Sequence, residues 1–170
     1  NGKALGVIGA GNIGQKMIKI GLALDMHVLV YNRTKKDLPC GAEQVSFDEV
    51  LWQSDYLSLH CPLTDATRHM INADTIAKMK PTACIINTSR GALIDESELI
   101  RALLDGRIAG AGLDVQETEP PLQDNVLYTL PNVILTPHMG WKGLETRQRL
   151  VGILKEGIDG FRQGLRINRV

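Results

Sequence analysis

Apolar positions in this chain fall into short runs, separated by longer stretches in which they recur every three or four residues. Residues 3–8 form a run too short for a helix and read as a strand. From 13 to about 24, Ile13, Met17, Ile20, Leu22 and Leu24 recur at helical spacing. Residues 26–31 give a second strand, and Leu38-Pro39-Cys40-Gly41 breaks the pattern into a loop. Ser46-Phe47-Asp48-Glu49 predicts a capping box, with Val45 and Val50 placed as its hydrophobic staple and a short helix running to Gln53. A strand follows at 56–60, and Pro62 ends it. Asn72 is placed to cap a helix through Ile76 and Met79, which Pro81 stops.

The second half keeps the same rhythm. Ala83-Cys84-Ile85-Ile86 is continuously apolar, as a strand buried on both faces must be. Asp95-Glu96-Ser97-Glu98 starts a helix that Gly106 is placed to end. Residues 108–115 form a glycine- and alanine-rich strand, where close packing explains the small side chains. Val133-Ile134-Leu135 is the last strand, and residues 144–161 the last helix. Strands alternating with helices in this way predict an α/β fold with a doubly wound parallel sheet. Ligands of such sheets sit beyond the carboxyl ends of the strands. That rule singles out the positions after Ile8, Tyr31, Asn87 and Asp114, together with His60-Cys61-Pro62 and Thr136-Pro137-His138.

At the first of these ends stands Gly9-Ala10-Gly11-Asn12-Ile13-Gly14, a G-x-G-x-x-G between a strand and a helix. In that context each glycine has its own task. Gly9 allows the tight turn, Gly11 leaves the backbone open to a pyrophosphate, and Gly14 lets the helix pack close to the strand. The first-turn N–H groups, Asn12 and Ile13 among them, and the positive end of the helix dipole then face the phosphates. The plain alternative is a glycine-rich turn with no ligand, and the flanking strand and helix disfavour it.

The end of the second strand bears on which dinucleotide is bound. An acidic side chain about 20 residues past the glycines takes the ribose 2′-OH of NAD. Here the residues are Tyr31-Asn32-Arg33-Thr34-Lys35-Lys36, with no carboxylate before Asp37. Asn32 can hydrogen-bond a hydroxyl without repelling a phosphate, while Arg33 and Thr34 suit a 2′-phosphate. NADP is therefore expected over NAD, against the alternative of a solvated basic turn.

The composition of the 170 residues narrows the rest. Nineteen basic and 19 acidic side chains leave no net charge, hence no global attraction to nucleic acid or to anionic membrane. No apolar run is long enough to span a bilayer. The three cysteines, Cys40, Cys61 and Cys84, lack metal-type spacing, and Cys61 and Cys84 lie in apolar runs, so reduced thiols in a cytoplasmic protein and no metal site are expected.

Several spaced motifs carry a resemblance. Pro62-Leu63-Thr64, Met79-Lys80-Pro81, residues 86–93 (Ile-Asn-Thr-Ser-Arg-Gly-Ala-Leu), residues 111–115 (Ala-Gly-Leu-Asp-Val) with Glu119-Pro120, and Thr136-Pro137-His138 resemble the D-isomer-specific 2-hydroxyacid dehydrogenases. Residues 141–150 are most similar to the glycerate dehydrogenase or hydroxypyruvate (glyoxylate) reductase branch. The resemblance implies a Rossmann-like NAD(P)-binding domain over 1–143, with 144–170 as a helix and tail returning toward a substrate domain whose main part this chain lacks. It implies substrate binding by Arg90, acid/base work by His138 with Glu119 as its partner, and Asp114 beside the nicotinamide amide. It also implies cofactor contacts from Cys61, Pro62, Thr67, Thr88, Ser89, Arg90, His138 and Gly140. A homodimer through the nucleotide-binding domain is a further expectation of the same kind.

The chemistry of these side chains agrees with those roles. Reducing a 2-oxo acid needs a cation for the carboxylate, and Arg90 offers a planar fork. It needs an acid for the carbonyl oxygen, and the intrinsic pKa of histidine suits His138. Glu119 would orient His138 and favour its protonated form. Singly, each has a plainer explanation: a surface ion pair, a helix cap, a solvated loop acid. His27, His60 and His69 are read as structural or surface residues. Two other functions remain open at this point: the same domain acting on formate or phosphite, against which Glu119 argues, and a non-enzymatic NAD(H)-sensing module.

Overall fold

The computed structural model describes residues 2–167. The chain divides at Pro137 and His138 into two compact units, each described by itself.

In the first unit seven strands build one parallel sheet: β1 (Ala4–Ile8), β2 (His27–Tyr31), β3 (Ala42–Gln44), β4 (Tyr56–Leu59), β5 (Cys84–Asn87), β6 (Gly110–Leu113) and β7 (Val133–Leu135). Their order is β3-β2-β1-β4-β5-β6-β7. Helices α1 (Asn12–Ala23), α2 (Phe47–Gln53), α3 (Ala73–Ile76) and α4 (Glu96–Leu104) make crossovers. The chain winds outward from β1 to β3 and then returns to build on the other side through β4. The winding reverses between β1 and β4, where sheets of this kind bind ligands.

The expected apolar runs follow from this arrangement. Along β1, Ala4 and Ile8 join a large core with Leu57, Ile85 and Leu113, packed by Leu51 of α2 and Leu99 of α4. Leu5 and Val7 point the other way, into a smaller core with Val28, Val30 and Ile18 of α1. A strand with a core on both faces is apolar at every position. Full burial of one such side chain, Ile18 for example, contributes about 1.5–3 kcal/mol.

Besides the strand expected over residues 108–115, of which only Gly110–Leu113 forms β6, three local features differ in the structure. The helix predicted from Asn72 through Met79 ends at Ile76. The N–H groups of Lys78 and Met79 bond back three residues, to Thr75 and Ile76, so the chain tightens and leaves the helix well before Pro81. The capping box at Ser46 is half formed: Ser46 accepts from the Glu49 N–H at 3.2 Å, but the Glu49 carboxylate accepts from Gln53 Nε2. A complete box forms instead at Asn72 and Thr75. The third difference is β3, an edge strand whose three residues, two of them polar, carry no period to detect. Elsewhere Gly106 ends α4 as predicted, with φ +66° and the Arg107 N–H reaching the Ala102 carbonyl at 2.8 Å.

The second unit is dominated by α5 (Leu144–Arg162). Leu150, Ile153, Leu154, Ile158 and Phe161 line one apolar groove along it. A Lys155–Asp159 ion pair at 2.7 Å, one turn apart, raises the Lys155 pKa. Among the described residues, no helix is long and apolar enough to cross a membrane.

Candidate cofactor and active site

The glycine turn leaves β1 at the reversal of the sheet, and two of its glycines are explained by the protein itself. Gly9 has φ +97°, which L side chains rarely adopt, and a Cβ there would lie 2.7 Å from the Cys61 nitrogen. A Cβ on Gly14 would run into the Gly9 carbonyl oxygen. Gly11 is different. Its φ of −77° and ψ of −169° suit any residue, and a Cβ there would meet no protein atom within 4 Å. Neither backbone strain nor packing requires glycine at this position. The open space there would admit a molecule that approaches the backbone closely, as a pyrophosphate does. Gly11 also caps α1 without a side-chain hydrogen bond, and the first turn carries no acidic residue. Asn12 and Ile13 are exposed there, so the helix start is open to an anion. The residues present fit a dinucleotide.

The loop after β2 is tied to this turn. Asn32 Oδ1 accepts the Ala10 N–H at 3.0 Å, and Asn32 Nδ2 donates to the Thr34 carbonyl at 2.8 Å. Gln44 of β3 donates to the carbonyls of Asn32 and Thr34, both at 3.1 Å, and accepts from the Lys36 N–H. The Asn32 side chain therefore holds the loop, a role that its expected contact with a ribose hydroxyl did not anticipate. Arg33, Thr34, Lys35 and Lys36 are exposed on the loop that Asn32 and Gln44 shape.

Further along the same edge, each strand end is laced to the next. The His60 N–H donates to the Ile8 carbonyl at 2.7 Å, and His60 Nε2 lies 2.9 Å from Oγ of the fully buried Ser58. Burial pushes the His60 pKa down, so its imidazole is neutral at pH 7. Cys61 is half-buried, and burial pushes its thiol pKa up, keeping it protonated and unreactive. The Cys61 carbonyl accepts from Ser89 Oγ at 2.8 Å, joining the ends of β4 and β5. Pro62 is exposed, and Thr67 Oγ1 turns back to its carbonyl at 2.8 Å, so Thr67 shapes its own loop.

Beyond β5 the fully buried Asn87 bends the chain. Its Oδ1 accepts the Ser89 N–H at 3.0 Å, and its Nδ2 donates to the Arg90 carbonyl at 2.8 Å. This side-chain turn presents Thr88 and Arg90 as exposed residues. The Asn87 carbonyl accepts the Asp114 N–H at 2.9 Å, and Asp114 Oδ1 accepts from Thr136 Oγ1 at 2.5 Å. Asp114 is thus buried where β6 and β7 end. Glu119 lies on the exposed loop after β6, and its carboxylate accepts the Gln116 N–H at 3.2 Å. His138 and Gly140 belong to the second unit, where His138 has a left-handed φ of +48°. Among the described residues, no group of three acidic, histidine or cysteine side chains is arranged to hold a metal.

Two features escaped the sequence reading. The Ser58–His60 bond was detectable in principle as a hydroxyl and an imidazole on one strand face, two residues apart. The contact between His69 and Glu117, at 2.6 Å, had no signal at all, because 48 positions separate the pair.

A parallel sheet with this turn at its reversal defines a dinucleotide-binding domain of the Rossmann type. The family model of the D-isomer specific 2-hydroxyacid dehydrogenases, NAD binding domain, matches residues 1–140, and the chain belongs to that family. It is 44% identical over 166 residues to a glyoxylate reductase from Thermococcus litoralis, covering 96% of this chain and 50% of that protein. It is 46% identical over 154 residues to a hydroxypyruvate reductase from Thermotoga maritima, covering 89% of this chain and 50% of that protein. Among solved structures, the TT0316 protein from Thermus thermophilus superposes with a TM-score of 0.93 at 40% identity, covering 99% of this chain and 53% of that one. The chain spans about half the length of the curated relatives it matches.

Proposed function

We propose that this chain is the cofactor-binding half of an oxidoreductase that interconverts a small 2-oxo acid and its D-2-hydroxy acid, of the glyoxylate or hydroxypyruvate type. One observation carries the reading. The glycine turn leaves β1 at the reversal of the sheet, and the loops bearing Arg90 and Glu119 leave β5 and β6 at the same carboxyl end of that parallel sheet. The similarity to glyoxylate and hydroxypyruvate reductases supports the substrate class. Residues 144–170 would return to a substrate-binding domain, and two such proteins would pair through their nucleotide-binding domains.

Gly9, Gly11 and Gly14, with the N–H groups of Asn12 and Ile13, would hold the pyrophosphate. Arg33 and Thr34 would hold a 2′-phosphate, which makes NADP the preferred cofactor and NAD the lesser one. The bound nicotinamide would supply a hydride to the substrate's carbonyl carbon. Arg90 would grip the substrate carboxylate with its guanidinium fork. His138 would give its proton to the carbonyl oxygen during reduction and take it back in the reverse direction. Glu119 would keep that imidazole oriented. Glu119 favours this reading over a formate-type activity, where glutamine would stand. An NAD(H)-sensing role is the outcome left if the protein binds cofactor but turns over no acid.

The experiment is a panel of 2-oxo acids against NADPH and NADH on the full-length protein, with His138→Ala as control. We expect reduction of glyoxylate or hydroxypyruvate, a higher kcat/KM with NADPH, and a loss of roughly a hundredfold or more in the variant. Unchanged turnover in His138→Ala overturns the acid/base assignment, and a clear preference for NADH overturns the 2′-phosphate reading.

A further inference from the structure

His69 takes no part in the chemistry proposed above, yet its backbone sits at φ +50°, a region that a residue other than glycine enters only when its surroundings hold it there. The restraints are visible. Its N–H donates to the Ala92 carbonyl at 2.9 Å, its carbonyl accepts from Asn72 Nδ2 at 2.9 Å, and its Nε2 lies 2.6 Å from Glu117 Oε1. Glu117 and Glu96 then exchange hydrogen bonds. Glu117 Oε2 accepts the Glu96 N–H at 3.3 Å, and Glu96 Oε2 accepts the Glu117 N–H at 3.0 Å. Asn125 Nδ2 donates both to Glu96 Oε1, at 2.8 Å, and to Gln116 Oε1, at 3.1 Å. Two neighbouring carboxylates would ordinarily repel each other, but here each is fixed by backbone and side-chain donors.

This frame closes around the backbone of Gln116 and Glu117, which touches both loops of the proposed site. On one side is Gly91, adjacent to Arg90, where an added Cβ would run into the Gln116 carbonyl. On the other, the Gln116 N–H donates to the Glu119 carboxylate at 3.2 Å. An ordinary exposed ion pair is worth at most about 1 kcal/mol and fixes nothing beyond itself. His69 and Glu117 are half-buried, and their pair joins segments 48 positions apart around one peptide.

We propose that His69, Glu117 and Glu96 form a positioning frame that sets Glu119, and with it the Arg90 loop, in the geometry needed for turnover. This inference rests on the roles of Arg90 and Glu119 given above. These three are positioning residues: they act through Glu119 and touch neither substrate nor cofactor.

The test is a double-mutant cycle in the full-length protein, with Glu117→Ala, His69→Asn, Glu119→Ala and each pair with Glu119→Ala. Asparagine tolerates the left-handed backbone at position 69 but is too short to reach Glu117. Glu117→Ala and His69→Asn should each lower kcat/KM for the 2-oxo acid by roughly ten- to a hundredfold. Cofactor affinity should stay within about twofold, and neither change should lower activity further once Glu119 is absent. Wild-type activity in both variants, with Glu119→Ala impaired, overturns the frame alone. Equal losses with and without Glu119 also overturn it, because the network would then be general scaffolding. Full activity in Glu119→Ala overturns the catalytic reading, and the frame with it. Should Glu117→Ala fail to fold, the His69→Asn arm completes the same cycle.

Discussion

Gly11 and Gly91 stand at the same edge of the sheet, and they are glycine for opposite reasons. At Gly91 the protein leaves no room: an added Cβ would overlap the Gln116 carbonyl and approach the Glu117 nitrogen to 2.5 Å. At Gly11 there is room in every direction and no unusual backbone angle. One glycine serves the fold; the other has no reason within the chain and, on the proposed function, leaves room for the dinucleotide. A missing side chain points to a ligand only after packing and conformation have been excluded as its cause.

Substitution separates the two cases. Gly91→Ala should cost about 3 kcal/mol, lowering Tm by roughly 6–12 °C, because backbone on both sides must move. A melting curve within about 2 °C of wild type would show that the two loops are not locked together. Gly11→Ala should do the reverse. Its stability should change by about 1 kcal/mol or less, the ordinary difference between helix caps. Its dinucleotide affinity should fall by at least about tenfold, or 1.4 kcal/mol, as read by cofactor titration. Unaltered affinity would remove the ligand from the explanation of Gly11.

Asp55 provides a control at the amino end of β1, away from both glycines. Its carboxylate accepts the Ala4 N–H at 2.8 Å and faces Lys80 at 3.2 Å and Lys3 at 3.7 Å. The Ala4 hydrogen bond is the main cause holding its pKa below the usual carboxylate value, with Lys80 and Lys3 adding to it against the opposing effect of burial. A depressed folded-state pKa contributes stability that is present above about pH 3.9 and is lost as pH falls through the lower folded value. Asp55→Asn should therefore cost about 1 kcal/mol at pH 7 and progressively less toward pH 3, with cofactor affinity unchanged. Urea titrations at the two pH values measure this, and a cost independent of pH would contradict it. Arg33→Ala should have the smallest effect, a drop of roughly fivefold in kcat/KM with NADPH and little change with NADH, because the side chain is exposed. Equal loss with both cofactors would remove Arg33 from the recognition of the 2′-phosphate.

What was legible in the sequence follows the same division. Features with a local period could be read: the apolar runs of β1 and β5, the glycine turn, the Asn72 cap, and Gly106 at the end of α4. The polar edge strand β3 was not legible because its pairing with β2 decides it, and the early end of α3 at Ile76 was not because a switch to three-residue bonds leaves no mark on the apolar spacing. The placement of Arg90 after a buried strand could be inferred, while the buried Asn87 that bends the chain beneath it gave no warning. His69 passed for a structural or surface residue because nothing near it in sequence announces Glu117.

The double use of Asn32 has a consequence for how this domain can change over generations. One side chain fastens the Ala10 backbone to the turn at Thr34, and Gln44 braces that turn from β3. Arg33 therefore projects from a mount whose shape it does not determine. If the proposed 2′-phosphate contact holds, a lineage could replace the letters at 33, 35 and 36 and so trade one redox partner for another, without refolding the domain that carries them. Replacing Asn32 or Gln44 would alter the mount itself, and selection should treat these two kinds of position differently.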